Sequence, residues 1–155
     1  MNLRPLTAGD MGALTELARV CDETYLEWAP PGWMVPPAPP RWADRYLEED
    51  AWAMLGWDDA TLVASVAFRS HSASVAHLGL VFVHPSRWRQ GIAARLMALA
   101  EEEMRARGYE REQLWTPNGA PAEKFYVAQG WRLDGRREWH PWVGLEMIGY
   151  AKALT

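Results

Sequence analysis

The run Val75-Ala76-His77-Leu78-Gly79-Leu80-Val81-Phe82-Val83 constrains this chain more than any other stretch. Only His77 is polar, so a strand built from it is apolar on both faces. That pattern predicts a central strand, covered on both sides. His84-Pro85-Ser86-Arg87-Trp88-Arg89-Gln90-Gly91 follows, and Ile92 to Arg107 then repeats apolar residues at helical spacing as far as Gly108. The unit is strand, turn, helix. The first N–H groups of a helix lack intrahelical partners, and the helix dipole makes that end positive. Gly91 and Ala93 keep bulk away from those amides, so the turn can wrap an anion such as pyrophosphate. Arg87, Arg89 and Arg95 add positive charge.

The rest of the chain reads as one domain over residues 1–155. The net charge of −4 argues against general nucleic-acid or membrane-surface binding. The N-terminus has no long apolar run, so neither a signal peptide nor a membrane span is expected. A single Cys21 cannot form an internal disulfide, which fits a cytoplasmic protein. The four histidines lack metal-ligand spacing, so no metal is expected.

Asn2 to Leu6 predicts a first strand. Met11, Leu14, Leu17, Ala18, Cys21 and Tyr25 predict a helix ending near Trp28, before Pro30-Pro31. Ala29 to Pro40 holds six prolines and reads as a rigid connector or a substrate loop. Arg41 to Asp50 predicts a short second helix. Ala51–Trp57 and Thr61–Arg69 predict a hairpin across Asp58-Asp59. In the helix after Gly91, Ile92, Ala93, Leu96, Met97, Ala100 and Met104 predict the buried stripe. Arg95, Glu101, Glu102 and Arg105 should face water. Gln113–Thr116 is a strand ended by Pro117, and Ala120–Gln129 a helix closed by Gly130. Trp131–Trp139 and Leu145–Leu154 form a last hairpin.

Two segments match a known family. Val81-Phe82-Val83-His84-Pro85, then Arg87 to Ala93 and a helix, resembles the acetyl-CoA motif of the GNAT N-acetyltransferases. Ala122-Glu123-Lys124-Phe125-Tyr126-Val127-Ala128-Gln129-Gly130-Trp131 resembles that family's second motif. The match is residue-specific over about 75–131. It implies an α/β GNAT fold: a mixed, mostly antiparallel central sheet of about seven strands, with helices on both faces.

The resemblance also implies roles. The main chain of Val81, Phe82 and Val83 would pair with the pantetheine arm of acetyl-CoA. The N–H groups of Trp88, Arg89, Gln90, Gly91, Ile92, Ala93 and Ala94 would hold its pyrophosphate. Trp88 and Arg89 depart from the usual pattern, but a backbone role survives that change. Tyr126 would protonate the leaving thiolate, since a phenol is mostly protonated at neutral pH. Relatives often carry an Asn seven residues before this Tyr. Gly119 stands there, and Asn118 one residue earlier is the nearest substitute.

The amine base is less defined. Relatives often use a Glu on the central strand or on the strand after the helix, where Thr116 stands. His77 is the ionisable residue of the central strand. Period-two alternation places it on one face with Gly79, Val81 and Val83. It is a base or a hydrogen-bonded core residue; Glu23, Glu27 or water are alternatives. Trp28 and Trp33, with Trp42, Trp139 and Trp142, would wall an acceptor pocket if they converge.

The expected activity is transfer of an acetyl group from acetyl-CoA to a primary amine, chiefly of a small molecule, by direct attack. The alternative is a non-catalytic acyl-CoA-binding or dimerisation module of the same fold. Family members are often dimers, and the last hairpin offers an edge for a homodimer.

Overall fold

Strands β1 (Asn2–Pro5), β2 (Trp52–Asp58), β3 (Thr61–Ser70), β4 (Val75–Val83), β5 (Arg111–Pro117), β6 (Arg132–His140) and β7 (Leu145–Ala153) form one mixed sheet. The structure is a computed structural model and describes all 155 residues. The strand order is β1-β2-β3-β4-β5-β7-β6. Every neighbouring pair is antiparallel except β4 and β5, which are parallel. A parallel pair needs a crossover, and α2 (Ile92–Ala106) supplies it.

Helices lie on both faces, as the sequence predicts. On one face α2 and α3 (Ala122–Ala128) cover Ala64, Val66, Phe68, Ala76, Leu78 and Leu114. On the other, α1 (Met11–Glu23) brings Leu14, Leu17 and Cys21 against Leu55, Ala67 and Leu80. Burial of this apolar area, at about 25 cal/mol per Å², is the main force holding the layers together.

Two local expectations are corrected. Residues 41–50 form no α-helix, only a short 3-10 turn over Asp44–Leu47. Arg41 has a positive φ of 59°, and Glu48 is already extended. Ala43 and Tyr46 are anchored in the core beside α1, and that packing overrides the helical spacing. Glu101 does not face water. It is buried, and the ammonium of Lys152 donates to it at 2.9 Å. Both lie beside the fully buried Glu112 of β5, whose pKa Glu101 raises and Lys152 lowers.

The central strand is also not regular. Leu80 has φ +52°, and the β3 register slips there: Ala67 faces Gly79 but Ser65 faces Phe82. This is a β-bulge, which bends a strand and shifts its side-chain alternation. Ala76 and Leu78 point to the α2 face, whereas Leu80 joins the α1 face. Beyond the bulge, Val81 and Val83 pack toward α2 and Phe82 toward α1. The expectation that His77 shares a face with Val81 and Val83 therefore fails, because one inserted residue reverses the parity.

Candidate active site

The bulge opens the middle of the sheet. β4 and β5 pair only at Val75–Arg111, Ala76–Glu112 and His77–Gln113, then diverge. A cleft of about 1510 Å³ fills the divergence. Its walls are the far half of β4, the end of β5, α1, and the first turns of α2 and α3. Ser65, fully buried on β3, holds the bulge: its hydroxyl donates to the Leu80 carbonyl at 2.6 Å.

The turn before α2 is built as an anion cradle. Arg89 (φ 63°) and Gly91 (φ 73°) both adopt left-handed conformations, which turn successive N–H groups toward one side. A Cβ added at Gly91 would meet nothing within 4 Å, so the approach is open. The first-turn amides of Ile92, Ala93 and Ala94 complete the cradle by helix geometry. Trp88, Arg89, Gly91, Ile92, Ala93 and Ala94 all line the cleft, as do Val81, Phe82 and Val83. Gln90 does not; its side-chain oxygen accepts from Arg87 at 3.0 Å. Arg87 is also paired with Asp58 and so is committed to the loop itself. The Trp88 indole donates to the Val83 carbonyl at 2.8 Å, and the Cys21 thiol points to the same oxygen at 3.4 Å.

Tyr126 projects from α3 into the cleft among Phe125, Trp131 and Tyr150, with ring centroids 5.6 to 6.2 Å away. Burial pushes its pKa up to about 12, so the phenol keeps its proton at neutral pH. Asn118 lies outside the cleft. Its amide donates to Glu146 at 2.8 Å on the outer side of β7.

His77 lines the cleft floor and is 8% exposed. Burial, then the positive charges of Arg69, Arg136 and Arg45, hold its pKa down to about 3. The ring is therefore neutral but weakly basic.

Trp28 and Trp33 converge. Tyr25 lies 4.9 Å from Trp28 and 6.0 Å from Trp33 by ring centroids. The Trp33 indole donates to the Val143 carbonyl at 2.8 Å, which ties the proline-rich segment to the β6–β7 turn. Trp42 and Trp142 also line the cleft; Trp139 is exposed outside it.

One residue escaped the sequence reading. Asp22 of α1 faces the cleft, and burial raises its pKa to about 6, with no cation countering it. Its charge acts on Tyr25, and Tyr25 is in turn coupled to Tyr126. The signal was present. Thr15, Ala18, Asp22 and Tyr25 recur at helical spacing along one margin of the core stripe, sharing Ala18 and Tyr25 with it, and all line the cleft. No group of three His, Cys, Asp or Glu side chains is placed to hold a metal, and no helix is long and apolar enough to cross a membrane.

The fold recurs in solved structures. An aminoglycoside 6'-N-acetyltransferase complexed with coenzyme A is 16% identical, with a TM-score of 0.72 over 100% of this chain and 98% of that one. The PaiA N-acetyltransferase from Thermoplasma acidophilum, in complex with coenzyme A, is 19% identical, with a TM-score of 0.74 over 98% of each chain. A ribosomal-protein-alanine N-acetyltransferase from Brucella melitensis is 17% identical, with a TM-score of 0.72 over 99% of each. At such identities the likeness establishes the fold alone. No curated protein matches the chain. The sequence model of the acetyltransferase (GNAT) family matches residues 17–131. With that match spanning most of the chain, and a seven-stranded sheet parted in the same region, the protein belongs to the GNAT acetyltransferase family.

Proposed function

We propose that this protein transfers an acetyl group from acetyl-CoA to the primary amine of a small molecule, by direct attack of the nitrogen on the thioester carbonyl. The observation that carries the reading is the parted β4–β5 pair. It puts an amide cradle, a protonated phenol and a carboxylate into one cleft. The backbone edge of Val81, Phe82 and Val83 suits the amide-rich pantetheine arm, although the Val83 carbonyl already accepts from Trp88. The turn from Trp88 to Ala94 suits the pyrophosphate.

When the nitrogen attacks, a C–N bond forms, the C–S bond breaks and the amine loses a proton. Tyr126 is the acid that protonates the departing thiolate. Its raised pKa keeps the proton available until negative charge develops beside it. For the base we assign Asp22 in place of His77. A group with a pKa near 3 holds a proton poorly, whereas one near 6 is matched to neutral pH. As a carboxylate Asp22 also attracts the ammonium form of the acceptor, and Tyr25, Trp28 and Trp33 offer ring faces to the same cation.

A non-catalytic acyl-CoA-binding module of the same fold predicts the cradle but not a buried carboxylate, Asp22, lining the same cleft as Tyr126. Aminoglycosides, named for several structural neighbours, carry several ammonium groups, and Arg45 and Arg69 in the cleft lining disfavour them. The test is release of free CoA thiol from acetyl-CoA with a panel of small amines. Amine-dependent release supports the transferase reading; CoA binding without release by any amine supports the module.

A further inference from the structure

We propose that the acceptor amine also carries a carboxylate, and that Arg69 and His77 hold it at the closed end of the cleft. The proposal rests on the acetyltransferase reading above and names its substrate class.

Arg69 on β3 stands directly across from His77 on β4. Both line the cleft. His77 is more than nine-tenths buried, and its Nδ1 has no hydrogen-bond partner; the Nε of Arg69 is likewise buried and unpartnered. Leaving a buried donor unpaired costs about 1–3 kcal/mol, and more for a charged group. Two such groups face to face on a cleft wall call for a ligand with acceptor atoms.

The local charge says which kind. The groups close enough to shift His77 are Arg69, Arg136, Arg45 and His71, all basic. Only one of the three arginines has a nitrogen both buried and unpaired. Arg136 is paired with Asp134 at 2.7 Å and donates to the Leu114 carbonyl at 2.9 Å. Arg45 is exposed and lies 5.9 Å above the Tyr46 ring. Arg69 is left with its Nε–H unpartnered. Burial raises the pKa of the Tyr46 hydroxyl, and the charges of Arg45 and Arg69, with a side-chain interaction with Arg69, lower it, which places the Arg69 guanidinium and that hydroxyl close together. Gly79 makes room for that hydroxyl, since a Cβ there would overlap it.

The corner thus offers one guanidinium fork, a neutral imidazole and a phenol. A planar fork matches a carboxylate, which accepts two N–H bonds side by side. The imidazole stays neutral because of its burial and these neighbours, so with its proton on Nδ1 it donates at neutral pH without adding charge. Along β4, His77 is roughly 17 Å from Val83, the span of the paired stretch Ala64 to Arg69 on β3. The carboxylate end is therefore remote from the cradle, and the amine end lies between, on the side of Asp22 and Tyr126.

The test uses the intact protein saturated with CoA, so that no turnover occurs. Binding of α- and ω-amino acids of increasing length is compared with binding of their carboxamides by calorimetry. At least one amino acid should bind tenfold or more tightly than its carboxamide. Arg69→Gln should abolish that preference and Arg69→Lys should keep part of it. In the wild-type protein, the same amino acid should shift the His77 ring signals in NMR spectra. Equal binding throughout the series, a preference that survives Arg69→Gln, or an unmoved His77 ring would each overturn the proposal. So would an aminoalkyl phosphate that binds more tightly than the carboxylate. CoA release is scored separately on the same panel. Acetylation that ignores the carboxylate overturns this inference and spares the transferase reading. Amino-acid binding at Arg69 with no CoA release does the reverse.

Discussion

The Ser65 hydroxyl reaches from β3 to the Leu80 carbonyl of β4 at 2.6 Å, inside the sheet and away from water. It satisfies the carbonyl at the point where the bulge takes β4 out of register with its neighbour. Ser65→Ala removes the donor and leaves that carbonyl buried and unpaired. The expected cost is about 1–3 kcal/mol, read as a lower denaturant midpoint. CoA affinity should fall with it, because the bulge shapes the cleft. A variant with unchanged stability and unchanged CoA binding would show that the bulge is held by other contacts.

Gly91 is open toward the cleft and left-handed. Gly91→Glu adds bulk, a negative charge and backbone strain at one point. CoA should raise the melting temperature of the wild-type protein by mass action. It should leave that of Gly91→Glu unmoved at the same concentration.

Tyr126→Phe keeps the ring that packs on Trp131 and Tyr150 and removes only the hydroxyl. CoA affinity should be preserved while kcat falls by roughly 10²–10⁴-fold, the usual range for loss of a general acid. Equal kcat values, with chemistry shown to be rate-limiting, would remove Tyr126 from the mechanism.

The acidic limb of the kcat/KM profile should lie near pH 6. The Asp22 carboxyl is raised to about 6 by burial and must be ionised to accept a proton, so activity falls as pH drops through that value. Asp22→Asn should remove the limb and lower the plateau. His77→Gln should leave the limb in place, since His77 itself titrates near 3. The acceptor for this measurement needs an amine pKa well away from 6.

Stability carries a separate pH signature. Burial, and the neighbouring Glu101 carboxyl, raise the Glu112 pKa well above the ordinary value of 4.5. Folded Glu112 is therefore protonated at neutral pH, whereas the unfolded chain ionises it. Its contribution is fully present below about pH 4.5 and declines as pH rises toward the folded pKa. Glu112→Gln should flatten that decline and raise the melting temperature at pH 8. The scale for a chain of this size is about 2–4 °C for each kcal/mol. A wild-type and variant pair with parallel stability–pH curves would mean that Glu112 is ionised in the fold.

The family and its sheet were legible in two local signals: the apolar run that ends in a small-residue turn, and the Phe125-Tyr126 helix with Gly130 behind it. Both depend on residues adjacent in sequence. The bulge had one sequence marker, Gly79 inside the apolar run, but nothing local says that the left-handed residue is the leucine after it. A leucine adopts the left-handed conformation there, and its support comes from a serine fifteen positions away on another strand. The side-chain alternation of β4 was misread for the same reason. Glu101 has the spacing of an exposed helical residue, and only the fold brings Lys152 and Glu112 to it. Asp22 has a readable spacing, but it borders the apolar stripe of α1 beside Cys21, and only the fold shows that this margin opens on the cleft.

The three paired rows between β4 and β5 are the only strand pairing between two half-sheets, β1 to β4 on one side and β5, β7 and β6 on the other, which otherwise meet through the core under α2. The sheet has the shape of a hinge, with its knuckle at residues 75–77 and its jaws parted beyond them. A molecule lying in the jaws and bonded to the edge of β4 would act as a short guest strand. It would tie the halves together at their free end. Loading the protein should then slow amide exchange in the end of β5, Leu114 to Thr116, even where the guest touches only β4. The gap that admits the substrate is thus also the seam along which the empty protein is most easily parted.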